Sequence, residues 1–399
     1  MSGHIVDTPP GGRLDLRDGA AGQAPTERWR VETEPYDLIA MGRLGVDLYP
    51  LQTGVGLDRV ETFRKFLGGS PANVAVAAAR LGRRTALVSR TGADPFGGYL
   101  RRELKGFDVD GRWVTEVDAY PTPVTFCALF PPDDFPLYFY RRPKAPDLEI
   151  RPDELDLDAI RAARVFWATG TGLCAEPSRT ATLEALRARS GRETTVLDLD
   201  WRPMFWADPA AARPYYAEAL RYATVAVGNL DECEVATGER EPEAAARALL
   251  ATGAVRLAVV KQGPAGVLAL AADGTRAEVP PLPVEVVNGL GAGDAFGGSL
   301  VDGLLSGRDL TTVLRHANAA GAIVAGRLAC SAAMPDATEI ATALATGSGT
   351  LPDASEAGGG ASPGAPEPGG GPLPEASAAG SGASPGAPEP GSGTLPEPG

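Results

Sequence analysis

Histidine is nearly missing from this chain: His4 and His316 are the two copies among 399 residues. That scarcity argues against a Ser-His-Asp hydrolase and against a histidine-rich metal centre, since both need imidazole at the reacting atoms. Cysteine is sparse too. Cys127, Cys174, Cys233 and Cys330 are widely spaced and form no C-x-x-C pair, so they read as reduced, buried thiols. No apolar run is long enough to span a bilayer, and the amino terminus lacks a basic stretch followed by an apolar block. The expectation is a cytoplasmic chain without membrane association. Bases are in deficit, with a formal net charge of -14, which argues against a nucleic-acid partner. A G-x-x-x-x-G-K-[ST] loop is absent, as are the H-R-D and D-F-G elements of protein kinases and a G-x-G-x-x-G fingerprint after the first strand. The chemistry left to this chain runs on carboxylates and backbone amides.

What is present begins with an apolar fraction of 44%, ample for a buried core. Residues 1–34 are rich in Gly, Pro, Arg and acids without apolar periodicity and read as a flexible arm. From 347 to 399 the composition turns to Gly, Pro, Ala, Ser and Glu, and the segment 360–369 recurs at 382–391. Such a repeat has too little apolar surface to offset ordering entropy, so this tail is expected to be disordered. Between the arms, 35–346 reads as one domain. Candidate strands at 36–41, 84–90, 165–169, 195–199, 224–228 and 257–261 alternate with candidate helices at 72–81, 96–104, 176–188, 209–221, 231–237, 241–251 and 292–306. That alternation predicts an α/β fold of three layers, a mainly parallel sheet with helices on both faces. Two β-rich runs, 124–130 and 137–141, flank a Pro- and Asp-rich turn and predict a hairpin outside those layers. With the segment after Asp47 it would form a β lid, drawn from about 47–66 and 120–143. Lids exclude water from a reaction.

Five constellations carry candidate chemistry. An apolar run ends at Gly291, Ala292, Gly293 and Asp294, followed by an amphipathic helix. Small residues there let backbone N–H groups approach a phosphate, and a carboxylate at the same spot can take a proton from an attacking hydroxyl. An ordinary strand-to-helix turn is the alternative. Gly68, Gly69, Ser70 and Asn73 open another helix and suit either a polyhydroxylated ligand or a plain helix cap. Asn229 and Glu232 follow a strand, where oxygen ligands hold Mg²⁺ or simply cap the next helix. Lys261, Gly263 and Gly266 also sit at a strand end and suit a nucleotide or a tight turn. Arg141 and Arg202 lie among aromatics near strand ends and suit a carboxylate ligand or surface ion pairs.

In their order and spacing these pieces, together with Thr91, Gly92, Asp94 and Gly97, resemble the ribokinase-like (PfkB) carbohydrate kinase family across nearly the whole of 35–346. Further matches at Met41 to Pro50, Phe135 to Arg141, Thr169 to Leu173 and Asp198 to Trp206 resemble its members that phosphorylate 5-dehydro-2-deoxy-D-gluconate in inositol catabolism. Kinases of 2-keto-3-deoxygluconate share some of these, and a non-catalytic sugar-binding protein on the same fold is a remote alternative. The resemblance implies ATP and Mg²⁺ as cofactors and a small sugar acid as substrate. It implies Asp294 as the base, with the N–H groups of Gly291, Ala292 and Gly293 as an anion hole. Asp47, Gly69, Ser70 and Asn73 would hold substrate hydroxyls, and Arg141 and Arg202 would face its carboxylate. Asn229 and Glu232 would position Mg²⁺ through water, while Lys261, Gly263, Gly266 and Asn318 would line the ATP site. A protruding lid often pairs with its twin in this family, so a homodimer is implied as one arrangement. One departure stands out: Asn288, Gly289 and Leu290 occupy the place of the usual Asp-Thr-Thr. It puts in doubt a monovalent-cation site supported by that Asp.

Overall fold

The computed structural model describes residues 34–189 and 194–351, so nearly all of the two expected arms lies outside the described residues. In chain order the strands are β1 (Leu38–Met41), β2 (Gly45–Pro50), β3 (Phe63–Gly68), β4 (Thr85–Gly92), β5 (Val109–Val117), β6 (Val124–Cys127) and β7 (Leu137–Tyr140). There follow β8 (Val165–Thr169), β9 (Thr194–Asp198), β10 (Val225–Asn229), β11 (Leu257–Lys261), β12 (Val267–Ala271) and β13 (Arg276–Val279). Nine of them form one sheet in the order β13-β12-β11-β10-β9-β8-β1-β4-β5. Pairing is parallel from β5 through β11, and β12 and β13 close the edge antiparallel.

Both faces of the sheet are buried, which explains why its central strands read as continuous apolar runs rather than as alternation. In β1, Leu38 and Ala40 join one core and Ile39 and Met41 the other; in β8, Val165 and Trp167 oppose Phe166 and Ala168 in the same way. The α/β three-layer expectation holds. β8 and β11 fall where the sequence places them, while β9 and β10 shift by one residue, which makes Asp198 and Asn229 their last residues. β5, β12 and β13, and the helices Leu310–Ala325 and Ala337–Thr346, are additions. Residues 347–351 belong to the body: the Gly349 N–H bonds to the Pro283 carbonyl at 2.8 Å, and Leu351 packs on the core.

The lid is a separate sheet in the order β3-β2-β6-β7, with β6 and β7 antiparallel as the hairpin reading requires. Its strand β7 alternates: Leu137 and Phe139 are half-buried, Tyr138 and Tyr140 exposed. Two helices position the rest of the site. Ser70–Arg80 starts with Pro71 in its first turn, and Ala292–Leu305 starts after Gly291. They cross at Gly298, where a Cβ would overlap Ala77, and a Cβ on Gly297 would lie 2.8 Å from the Trp167 ring. Gly298 lets the two helices touch, and Gly297 lets the second of them lie against the Trp167 ring of β8. Among the described residues no helix is long and apolar enough to cross a membrane.

Candidate active site

Asp294 is the third residue of the helix Ala292–Leu305, and its carboxylate is clamped by the opposing helix. The Ser70 hydroxyl donates to Oδ1 at 2.7 Å and the Asn73 amide donates to Oδ2 at 2.8 Å. Gly291 precedes the helix in the left-handed region, φ 81°, with Cys330 packed so closely that a Cβ would lie 2.5 Å from its sulfur. Only glycine fits there. Burial raises the Asp294 pKa, and the hydrogen bonds from Asn73 and Ser70 oppose the rise. The result is a carboxylate more basic than usual, held rigidly beside the free N–H groups of a helix start. Asn73 Oδ1 is buried and has no partner, a spare acceptor for a ligand hydroxyl.

One cavity collects Asp47, Gly69, Ser70, Asn73, Arg202, Gly291 and Asp294. Lid residues Tyr49, Thr125, Leu137 and Phe139 roof it. Burial pushes Asp47 up to about 7, against the pull of Arg43. Arg202 bonds to Asp200 at 2.8 Å. Burial alone would raise Asp200, but Arg43 and Arg202 outweigh it and hold this carboxyl below its ordinary range.

Arg141 lies elsewhere. It pairs with buried Asp147 at 2.9 Å, sits 4.5 Å over the Phe205 ring, and lines a neighbouring cavity with Cys174. The structure does not bring it to the cavity of Asp294.

Asn229 and Glu232 form a reciprocal cap: Asn229 Oδ1 accepts from the Glu232 N–H at 2.9 Å, and Glu232 Oε2 accepts from the Asn229 N–H at 2.7 Å. The capping alternative is therefore realised, with the second Glu232 oxygen outside that exchange. Asp198 lies close by in charge terms. Burial pushes it up to about 8 while Lys261 opposes, and its Oδ1 has no partner. Lys261 Nζ lies 3.4 Å from where a Cβ on Gly293 would stand, so the ammonium borders the helix start. Burial would lower the Lys261 pKa, yet Asp198 and Glu232 raise it overall, and the ammonium stays charged. Among the described residues no cluster of three or more His, Cys, Asp or Glu is placed to hold a metal.

Gly263 turns at φ 57° on the surface, and a Cβ on Gly266 would overlap the Val279 carbonyl. Asn318 donates to the Pro280 carbonyl at 3.0 Å, which brings Gly266 and Asn318 to one stretch of backbone. Asn288 is fully buried, its amide donating to the Leu328 carbonyl at 2.7 Å and its Oδ1 accepting from the Leu290 N–H at 3.0 Å. It shapes the turn that delivers Gly291. Arg43 and Asp200 carry no role expected from the sequence; a charged residue inside the apolar run Met41 to Val46 is the available signal.

The pfkB family carbohydrate kinase model matches residues 37–337. The chain is 34% identical over 312 residues to the 5-dehydro-2-deoxygluconokinase of Photobacterium profundum, covering 76% of this chain and 93% of that relative. It is 31% identical over 316 residues to the 5-dehydro-2-deoxygluconokinase of Clostridium tetani, covering 77% and 93%. A solved fructokinase with bound ATP from Xylella fastidiosa matches with a TM-score of 0.68 at 26% identity, covering 77% of this chain and 98% of that one.

Proposed function

The chain belongs to the pfkB family of carbohydrate kinases, and on that premise we propose that it transfers the γ-phosphoryl of ATP to the 6-hydroxyl of 5-dehydro-2-deoxy-D-gluconate in myo-inositol catabolism. The observation that carries the reading is Asp294, a buried carboxylate fixed at both oxygens beside a helix N-terminus. In this reading Asp294 accepts the hydroxyl proton as the sugar oxygen bonds to phosphorus and the bond to ADP breaks. The N–H groups of Gly291, Ala292 and Gly293 receive the charge on the transferring oxygens. Asp47, Gly69, Ser70 and Asn73 hold the sugar hydroxyls, and Arg202 faces the carboxylate. Arg141, neutralised by Asp147, is left out of that acid subsite. Lys261, Gly263, Gly266 and Asn318 seat the nucleotide.

The oxygen chemistry near the end of β10 fits a hard cation, because Glu232 keeps one oxygen outside its cap and Asp198 Oδ1 is orphaned. Asn229 and Glu232 would hold Mg²⁺ through water, and the ion would supply charge neutralisation at the phosphates. We place the enzyme in the cytoplasm. We also propose a homodimer through the lid, whose outer face exposes Tyr138 and Tyr140 at 51% and 67% beside Phe63, Phe126 and Phe130. Sedimentation of the wild type against Tyr140→Asp checks this: a dimer that the variant converts to monomer supports it, and a monomeric wild type overturns it.

A coupled ADP-release assay with 5-dehydro-2-deoxygluconate, 2-keto-3-deoxygluconate and fructose tests the activity. The highest kcat/KM belongs to the first. Preference for the second makes the chain a 2-keto-3-deoxygluconate kinase, and thermal stabilisation by the sugars without ADP release makes it a non-catalytic sugar-binding protein.

A further inference from the structure

Arg43 leaves the end of β1, reaches the cavity of Asp294 and is only 7% exposed. A guanidinium so buried needs partners. Its Nε donates to Thr171 Oγ1 at 3.2 Å, and one terminal nitrogen donates to both oxygens of Asp200, at 3.0 and 3.4 Å. Asp200 also pairs with Arg202 at 2.8 Å. Two guanidiniums that cannot lose their protons thus share one buried carboxylate, and the trio by itself carries a net positive charge at the cavity wall. The second terminal nitrogen of Arg43 takes no part in these bonds, so donors remain for a ligand.

The surroundings fix this guanidinium. Phe139 of the lid and Phe205 meet edge to face at 5.1 Å, and the Arg43 guanidinium carbon lies 5.8 and 5.9 Å from their centroids. Phe205 also lies against Arg141, but that residue faces the neighbouring cavity and is matched one to one by Asp147. Charge sign then sets the direction of a bound acid. Asp47 and Asp294 share the cavity wall with the arginines and repel a carboxylate. An anionic sugar enters with its acid end toward Arg43 and Arg202 and its hydroxyls toward Asp47 and Asp294.

We propose that Arg43 is a specificity-determining residue, which grips the substrate carboxylate together with Arg202 while the shared Asp200 holds both in place. This rests on the sugar-acid reading above. Steady-state kinetics on 5-dehydro-2-deoxygluconate with Arg43→Met tests it, with Arg141→Met in parallel. Arg43→Met is expected to raise the KM for the acid roughly 30-fold, the scale of a lost charge-assisted pair, with kcat and the KM for ATP within about threefold. Arg141→Met is expected to leave the acid KM within about threefold. A fall in kcat at unchanged acid KM overturns the assignment, and so does a KM rise confined to Arg141→Met. Should Arg43→Met fail to fold, Arg43→Lys decides, since it keeps the charge and loses the fork. A rise in acid KM of about fivefold at unchanged KM for ATP supports the proposal, and an unchanged acid KM overturns it. Wild-type protein inactive on both keto-deoxy acids overturns instead the function on which the inference rests.

Discussion

Ser70 and Asn73 fix both oxygens of Asp294, so Asp294→Asn removes a proton acceptor while keeping the size and most of the contacts of the side chain. The expected result is a fall in kcat of roughly 10³-fold with substrate KM little changed, read by the ADP-release assay. Because burial raises the pKa of Asp294, the acid limb of kcat in the wild type stands at higher pH than an ordinary carboxylate would give. Asp47 makes a separate, thermodynamic statement. It titrates near 7 when folded, against about 4 in an unfolded chain. The folded protein therefore binds the extra proton between those values, and this contribution to stability is lost as pH rises through about 7. Asp47→Asn, neutral throughout, should gain in Tm relative to wild type on going from about pH 5 to about pH 8, measured by calorimetry. Asp294 was legible in the sequence because its glycines, its helix and its carboxylate are neighbours in the chain. Arg43 was not, since its partner Asp200 is 157 positions away and no local pattern links them.

Elements bring those residues together through close helix contact. Gly298→Val places two methyl groups where even a Cβ overlaps Ala77. It should destabilise the fold by about 1–3 kcal/mol and lower kcat as well, because separating the helices draws Ser70 and Asn73 away from Asp294. Thermal unfolding and single-turnover rates check the two effects. The inner parallel strands were readable because burial on both faces writes them as mostly apolar runs. β13 was not: its burial alternates, exposed at Arg276 and Glu278, and its four residues resemble a loop. β5 escaped for a related reason. Its polar residues, among them Arg112, Thr115 and Glu116, interrupt any apolar run at this edge of the sheet. The β6–β7 hairpin was readable from its aromatic strands, while the partition of β7 into an inner pair and an outer pair needed the register with β6.

For the whole molecule, composition placed the end of the domain at 346, whereas hydrogen bonding extends it to Leu351. Truncation after Leu351 should leave kcat and KM within about twofold of wild type. Truncation after Gly347 should cost roughly 1–2 kcal/mol, from the Gly349–Pro283 hydrogen bond and the packing of Leu351, and a denaturant titration of both proteins separates them. The partition of the cavity has a further consequence, for redesign. Asp294 and its anion hole ride on helices packed too tightly to tolerate change, whereas Phe139 and Phe205 stand on a lid strand and a short turn. Substrate preference can therefore be retuned by exchanging β7 and the segment 201–206 without rebuilding the phosphoryl-transfer machinery.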